Sequence, residues 1–173
     1  MKKYSIIILI LFTSTIFSQS VTDRVLVKFI NQYRIENNLD TLKFTKLGYN
    51  AAKHHNEYLS NHPEVGITHK ENNDTPWQYE RLNKYNNSKN RIWVSAENLY
   101  ATTINPGIDL NSIEIANWVA NQTIKSWKRS EGHNLNLLLK TAKYVGIHTI
   151  ITEDNRMIVT YVTYSFSEFF EFN

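Results

Sequence analysis

The chain of 173 residues has no cysteine, only 5 glycines and 3 prolines, and little excess of charge of either sign. Without cysteine there is no disulfide framework, no thiol nucleophile, no thiolate-bound zinc or iron–sulfur cluster, and no attachment point for a lipoprotein anchor. So little glycine and proline excludes collagen-like and low-complexity classes. Lys and Arg number 19 against 16 Asp and Glu, and Lys2 and Lys3 lie in the leader described below. The remainder is close to neutral, so the sequence pI of about 9.0 is no sign of a nucleic-acid partner. Also missing are Gly-x-Ser-x-Gly, a phosphate-binding loop and His-Glu-x-x-His, which leaves nucleophile-elbow hydrolases, phosphate-loop enzymes and zincins without a motif.

What is present is material for a core: 42% of residues are hydrophobic and 13% aromatic. The first residues, Met-Lys-Lys followed by the apolar run Ile6 to Phe12, read as a secretory signal peptide spanning 1–18, with cleavage after Ser18. The run is short for a membrane span, which needs about 20 residues; an uncleaved anchor is the competing reading. From residue 22 to 168 neither linker nor repeat interrupts the pattern, which predicts one domain, with 169–173 as a C-terminal tail.

Apolar residues Val25, Leu26, Phe29, Ile30 and Tyr33 recur at helical spacing and predict an amphipathic helix over 22–38. A second stripe, Leu47, Ala51, Ala52, His55, Tyr58 and Leu59, ends at His62-Pro63. Loop is expected from Glu64 to Trp77, then a short helix over 78–83 and a strand over 91–97. Ser112 is the expected N-cap of a long helix through Ile113, Ala116, Val119, Ala120, Ile124 and Trp127, with Gly132 as its stop. Tyr144 to Ile151 and Met157 to Phe166 read as a β-hairpin.

Within this frame Thr68-His69, Ala96-Glu97-Asn98-Leu99 and Trp127-Lys128-Arg129-Ser130-Glu131-Gly132-His133 hold the candidate functional residues. Singly, each of those His and Glu side chains reads as solvated surface. Their order decides otherwise. With Asn31-x-x-Arg34, Leu47-x-x-x-Ala51-Ala52-x-x-His55, Asn136-Leu137-Leu138 and Tyr144-Val145-Gly146-Ile147, they resemble the CAP superfamily of cysteine-rich secretory, antigen 5 and pathogenesis-related 1 proteins, whose domain is also called SCP.

The resemblance implies an α+β fold, a three-layer α-β-α sandwich with a central, largely antiparallel sheet. It also implies a cleft lined by His69, Glu97 and His133. The family's second acid falls on Ser130, and Glu131 stands where bacterial relatives usually have proline, making Glu131 the substitute acid to examine. Two imidazoles and a carboxylate suit Zn²⁺ or another divalent metal, with His69, His133 and Glu97 as ligands and water in the open position; a metal-free polar cleft is the alternative. The functional expectation is a secreted or periplasmic, non-enzymatic binding module for an extracellular or envelope ligand (lipid, protein or peptide), without a stable membrane span after cleavage. The alternatives are a metal-dependent, peptidase-like hydrolase and a lipid-binding protein. No catalytic residue is named by the sequence. Of the other side chains, His55 is expected as a hydrogen-bonded core residue, His54 as exposed, and Trp93 and Trp127 as core or cleft wall.

Overall fold

A computed structural model describes residues 19–167. The expected leader, 1–18, and the expected tail, 169–173, lie outside the described residues. The helices are α1 (Val21–Glu36), α2 (Lys46–Asn61), α3 (Gln78–Tyr85), α4 (Ile113–Arg129) and α5 (Glu131–Leu137). The strands are β1 (Lys43–Phe44), β2 (Ile92–Thr103), β3 (Tyr144–Ile151) and β4 (Arg156–Phe166). Three helices begin at hydroxyl caps: Ser20, Thr45 and Ser112 accept from the N–H groups of Asp23, Gly48 and Ile115.

The sheet order is β1-β3-β4-β2, antiparallel except for the two-residue β1–β3 pairing. Alternation along β4 sorts its residues between two cores. Met157, Val159 and Tyr161 join Val145 and Ile147 of β3 against Leu26 and Ile30 of α1 and Val119, Ala120, Ile124 and Trp127 of α4. Val162 and Tyr164 face the other way, onto Ala51 and Ala52 of α2 and Leu82 of α3. The result is helix, sheet, helix in three layers. Trp127 is fully buried, as expected, and its indole N–H donates to the Leu99 carbonyl at 2.9 Å.

Four local expectations are corrected. Gly132 does not stop a helix: α4 ends at Arg129, extended Ser130 separates it from α5, and Gly132 sits in the first turn of α5. The strand predicted over 91–97 continues to Thr103, because β4 pairs with it along that whole length. Trp93 is neither core nor wall but 66% exposed, at an irregularity where the β2–β4 register shifts between Ile92 and Val94. His54 is half-buried rather than exposed, since Tyr85 and Glu71 hold its ring.

Candidate functional site

Glu97 lies mid-strand on β2 opposite Val162, so it points to the α2 and α3 side of the sheet. Its side chain is 1% exposed, and both oxygens are engaged. The Arg81 guanidinium donates to Oε2 at 2.6 Å, and the Nδ1 of His69 lies 3.0 Å from Oε1. Arg81, fully buried on α3, also reaches Glu71 Oε1 at 3.2 Å. His55 lies between the two acids: Nδ1 is 2.7 Å from Glu71 Oε1, and Nε2 is 2.8 Å from the Thr68 carbonyl and 3.8 Å from Glu97 Oε1. The His55 ring thus bridges Glu71 and the Thr68 carbonyl, with Glu97 just beyond hydrogen-bond distance. The Arg81 guanidinium offsets both buried carboxylates, with His55 bonded to Glu71 between them.

That balance sets the acidities. Burial works to raise Glu71, but bonds from His54, His55 and Asn73 and the charge of Arg81 prevail and hold it at about 2. Burial likewise works to raise Glu97, and the His69 bond, the His55 charge and Arg81 together leave it below the ordinary carboxylate value. Both acids are thereby held toward the ionised form.

The network backs onto a groove of about 360 Å³ along the free edge of β2, lined by His69, Trp77, Gln78, Ser95, Ala96, Glu97 and Asn136. The His69 side chain is 44% exposed there. His133 comes from the other layer. It rides on α5, which is tied to the β2 edge by Asn98 donating to the His133 carbonyl (2.9 Å) and Asn136 donating to the Glu97 carbonyl (3.1 Å). The two imidazole centroids are 6.4 Å apart. Burial and, next, the charge of His69 push His133 below the usual imidazole value.

The structure thus brings His69 together with Glu97 and sets His133 beside them. Ser130 caps α4 and is half-buried; Glu131 is exposed in the first turn of α5, outside the groove lining. Among the described residues no group of three or more His, Asp or Glu could hold a metal ion. The residues that the sequence did not flag are Glu71 and Arg81. A charged residue in a polar stretch reads as solvated, and the only signal pointing inward was His55 on an apolar stripe.

The model of the cysteine-rich secretory protein (CAP) family matches residues 27–166. The chain belongs to the CAP family. No curated protein is significantly similar to it in sequence. Among solved structures, an outer surface protein of Borrelia burgdorferi superposes with a TM-score of 0.65 at 21% identity, covering 84% of this chain and 93% of that one. An extracellular SCP-domain protein of Bacillus anthracis gives 0.58 at 18% identity, over 82% of this chain and 40% of the longer protein. NaASP2, solved with Zn²⁺, gives 0.54 at 13% identity over 83% of this chain and 80% of that one. At these identities the likeness shows the fold alone: a CAP α-β-α sandwich.

Proposed function

We propose that this CAP domain is an exported, non-hydrolytic binding module that takes its ligand in the groove at the β2 edge, with His69 and His133 as contacts. The engagement of Glu97 carries this reading. A general base must be free to take a proton, whereas Glu97 is bound on both oxygens and Glu71 is sealed beneath it. The only other acid that the motif supplied, Glu131, does not line the groove. Export is supported by the signal-peptide-like sequence of residues 1–18 and by structural relatives described as outer-surface or extracellular.

The donor set fits a divalent metal in part. With Nδ1–H on Glu97, His69 is left with Nε2 as a ligand, the arrangement in which a carboxylate orients a metal-binding imidazole. His69 and His133 would therefore hold the ion, and Glu97 would orient rather than ligate. The ion would supply a positive centre for an anionic ligand group. A site with so few protein ligands is weaker than a full set of three or four. Calorimetric titration with Zn²⁺ should show weak binding by the wild type, none by His69→Ala/His133→Ala, tighter binding by Ser130→Glu and no change in Glu131→Ala. Affinity should fall on acidification, because a protonated ring cannot ligate. No heat in the wild type would overturn the metal, and peptide hydrolysis that His69→Ala abolishes would overturn the non-enzymatic reading.

A second reading, lipid binding, rests on a separate groove of about 630 Å³ between α1 and α4. Phe29, Tyr33 and Ile124 supply its apolar lining, and Lys28, Lys125, Lys128 and Arg129 its charge, with the Lys128 ammonium 3.6 Å from the Tyr33 ring centroid. An acyl chain with an anionic head matches that composition. Saturable binding of palmitate, weakened by Ile124→Glu but not by His69→Ala, is the expected result; binding indifferent to Ile124→Glu would remove this reading.

A further inference from the structure

We infer that the groove takes an extended peptide, which adds as a short strand to the free edge of β2 at Ser95 and Glu97. This rests on the groove being a binding site and names the ligand class. The main-chain directions follow from the register. Ile104 donates to Asn155 on the β4 side (3.0 Å), whereas the carbonyls of Glu97 and Leu99 accept from Asn136 and Trp127. Residues 95, 97 and 99 therefore turn their main-chain groups away from β4.

Two side chains already stand in for a neighbouring strand: Asn136 on the carbonyl of Glu97 and Trp127 on that of Leu99. Upstream of them the edge is open. Neither the N–H and carbonyl of Ser95 nor the N–H of Glu97 has a partner among the described residues, and the groove runs beside them. A donor and an acceptor on one residue, followed two residues on by a second donor, is the spacing that another peptide backbone satisfies. Beyond Ser95 the register shift at Trp93 interrupts the ladder, which limits the addition to a few residues and opposes open-ended sheet growth.

Side chains at this edge indicate what the peptide carries. Trp77, 46% exposed, lines the groove, and Trp93, 66% exposed, lies two residues before Ser95 on the same strand, so apolar or aromatic residues have surface to cover. Lys70, exposed, places its ammonium 6.0 Å from the Trp77 ring centroid. Glu97 adds no opposing charge because Arg81 neutralises it. The peptide that fits is extended, with an aromatic residue for Trp77 and an acidic neighbour for Lys70.

The probe is a blocked octapeptide of β-branched residues around a central Phe-Glu pair, together with its counterpart N-methylated at alternate amides. Tryptophan fluorescence and amide exchange of the full mature chain provide the readouts. In the free protein the Ser95 and Glu97 amides should exchange freely; the parent peptide should protect them, and N-methylation should weaken binding by about tenfold, the loss of a main-chain hydrogen bond or two. Ser95→Pro removes an N–H that makes no ladder bond, a change that edge strands tolerate. It should bind at least about tenfold more weakly at an unchanged melting midpoint, while Ser95→Ala binds as the wild type does. Amides already protected in the free chain, no binding of the octapeptide, or binding indifferent to N-methylation and to Ser95→Pro would each overturn the inference. Zn²⁺ binding at His69, read separately, would survive that failure.

Discussion

Arg81→Met should destabilise the domain by about 3–5 kcal/mol at neutral pH, the cost of removing one partner from a buried ionic cluster. For a chain of this size that lowers the melting midpoint by roughly 10 °C. The guanidinium is fully buried and bonds Glu97 at 2.6 Å and Glu71 at 3.2 Å, so its loss leaves two buried carboxylates without the cation they share. The pH dependence separates this cause from simple loss of packing. In the wild type Glu71 is held at about 2, below its reference value of 4.5. Its contribution is therefore fully present above about 4.5 and fades as pH falls from there towards about 2. Without Arg81 the burial penalty is less well opposed and protonation relieves it, so the gap between wild type and variant should narrow on acidification. Adding Glu71→Gln should recover part of the loss at neutral pH. A midpoint that does not move, or a loss that is the same at pH 7 and pH 4, would show that the guanidinium charge is not what holds the loop carrying His69.

That loop marks the limit of what periodicity could reach. The stripes of α1, α2 and α4, the cap at Ser112 and the β3–β4 pair were legible because each is a local pattern repeated over several turns or residues. So was His55 as a core side chain, from its place on a stripe. The pairing of β1 with β3 was not, since two residues carry no period. Nor was the α4–α5 junction: Gly132 is a good stop signal, but Ser130 breaks the helix two residues earlier through its extended backbone. At the site, His69, Glu97 and His133 were found through the order of family motifs. What the motifs could not convey is the engagement of Glu97, because Arg81 and Glu71 belong to none of them and meet it only once α3 and the preceding loop fold against β2. The chemistry of the groove changes with that pairing, from a carboxylate available for ligation or proton transfer to one that positions an imidazole.

Gly146→Ala is expected to be the most damaging single substitution in the fold, because the space for a methyl group there is already occupied by main chain. Gly146 lies on β3 beneath α2, and a Cβ on it would stand 1.8 Å from the carbonyl carbon of Gly48, 2.2 Å from its oxygen and 2.2 Å from the nitrogen of Tyr49. No rotamer change relieves contacts with backbone atoms. Conformational freedom is not the reason for glycine here, since Gly66 and Gly107 are the glycines with positive φ. Relief requires α2 to lift from the sheet. That would disturb the fit of Ala51 and Ala52 on β4, and of Asn56, which donates to the His148 carbonyl at 2.7 Å. It would also move His55, and with it the ring bonded to Glu71. Overpacking that side chains can absorb costs about 1–3 kcal/mol, and this case should exceed that range. Gly48→Ala is the informative partner. Its Cβ would meet Gly146 at a less severe 2.7 Å, and alanine gains about 1 kcal/mol of helix propensity over glycine. Thermal denaturation should therefore rank the proteins wild type, Gly48→Ala, Gly146→Ala, with the last largely unfolded or strongly destabilised. If Gly146→Ala melts with the wild type, α2 is not seated on β3 at this crossing, and the position of His55 over Glu71 would need another explanation.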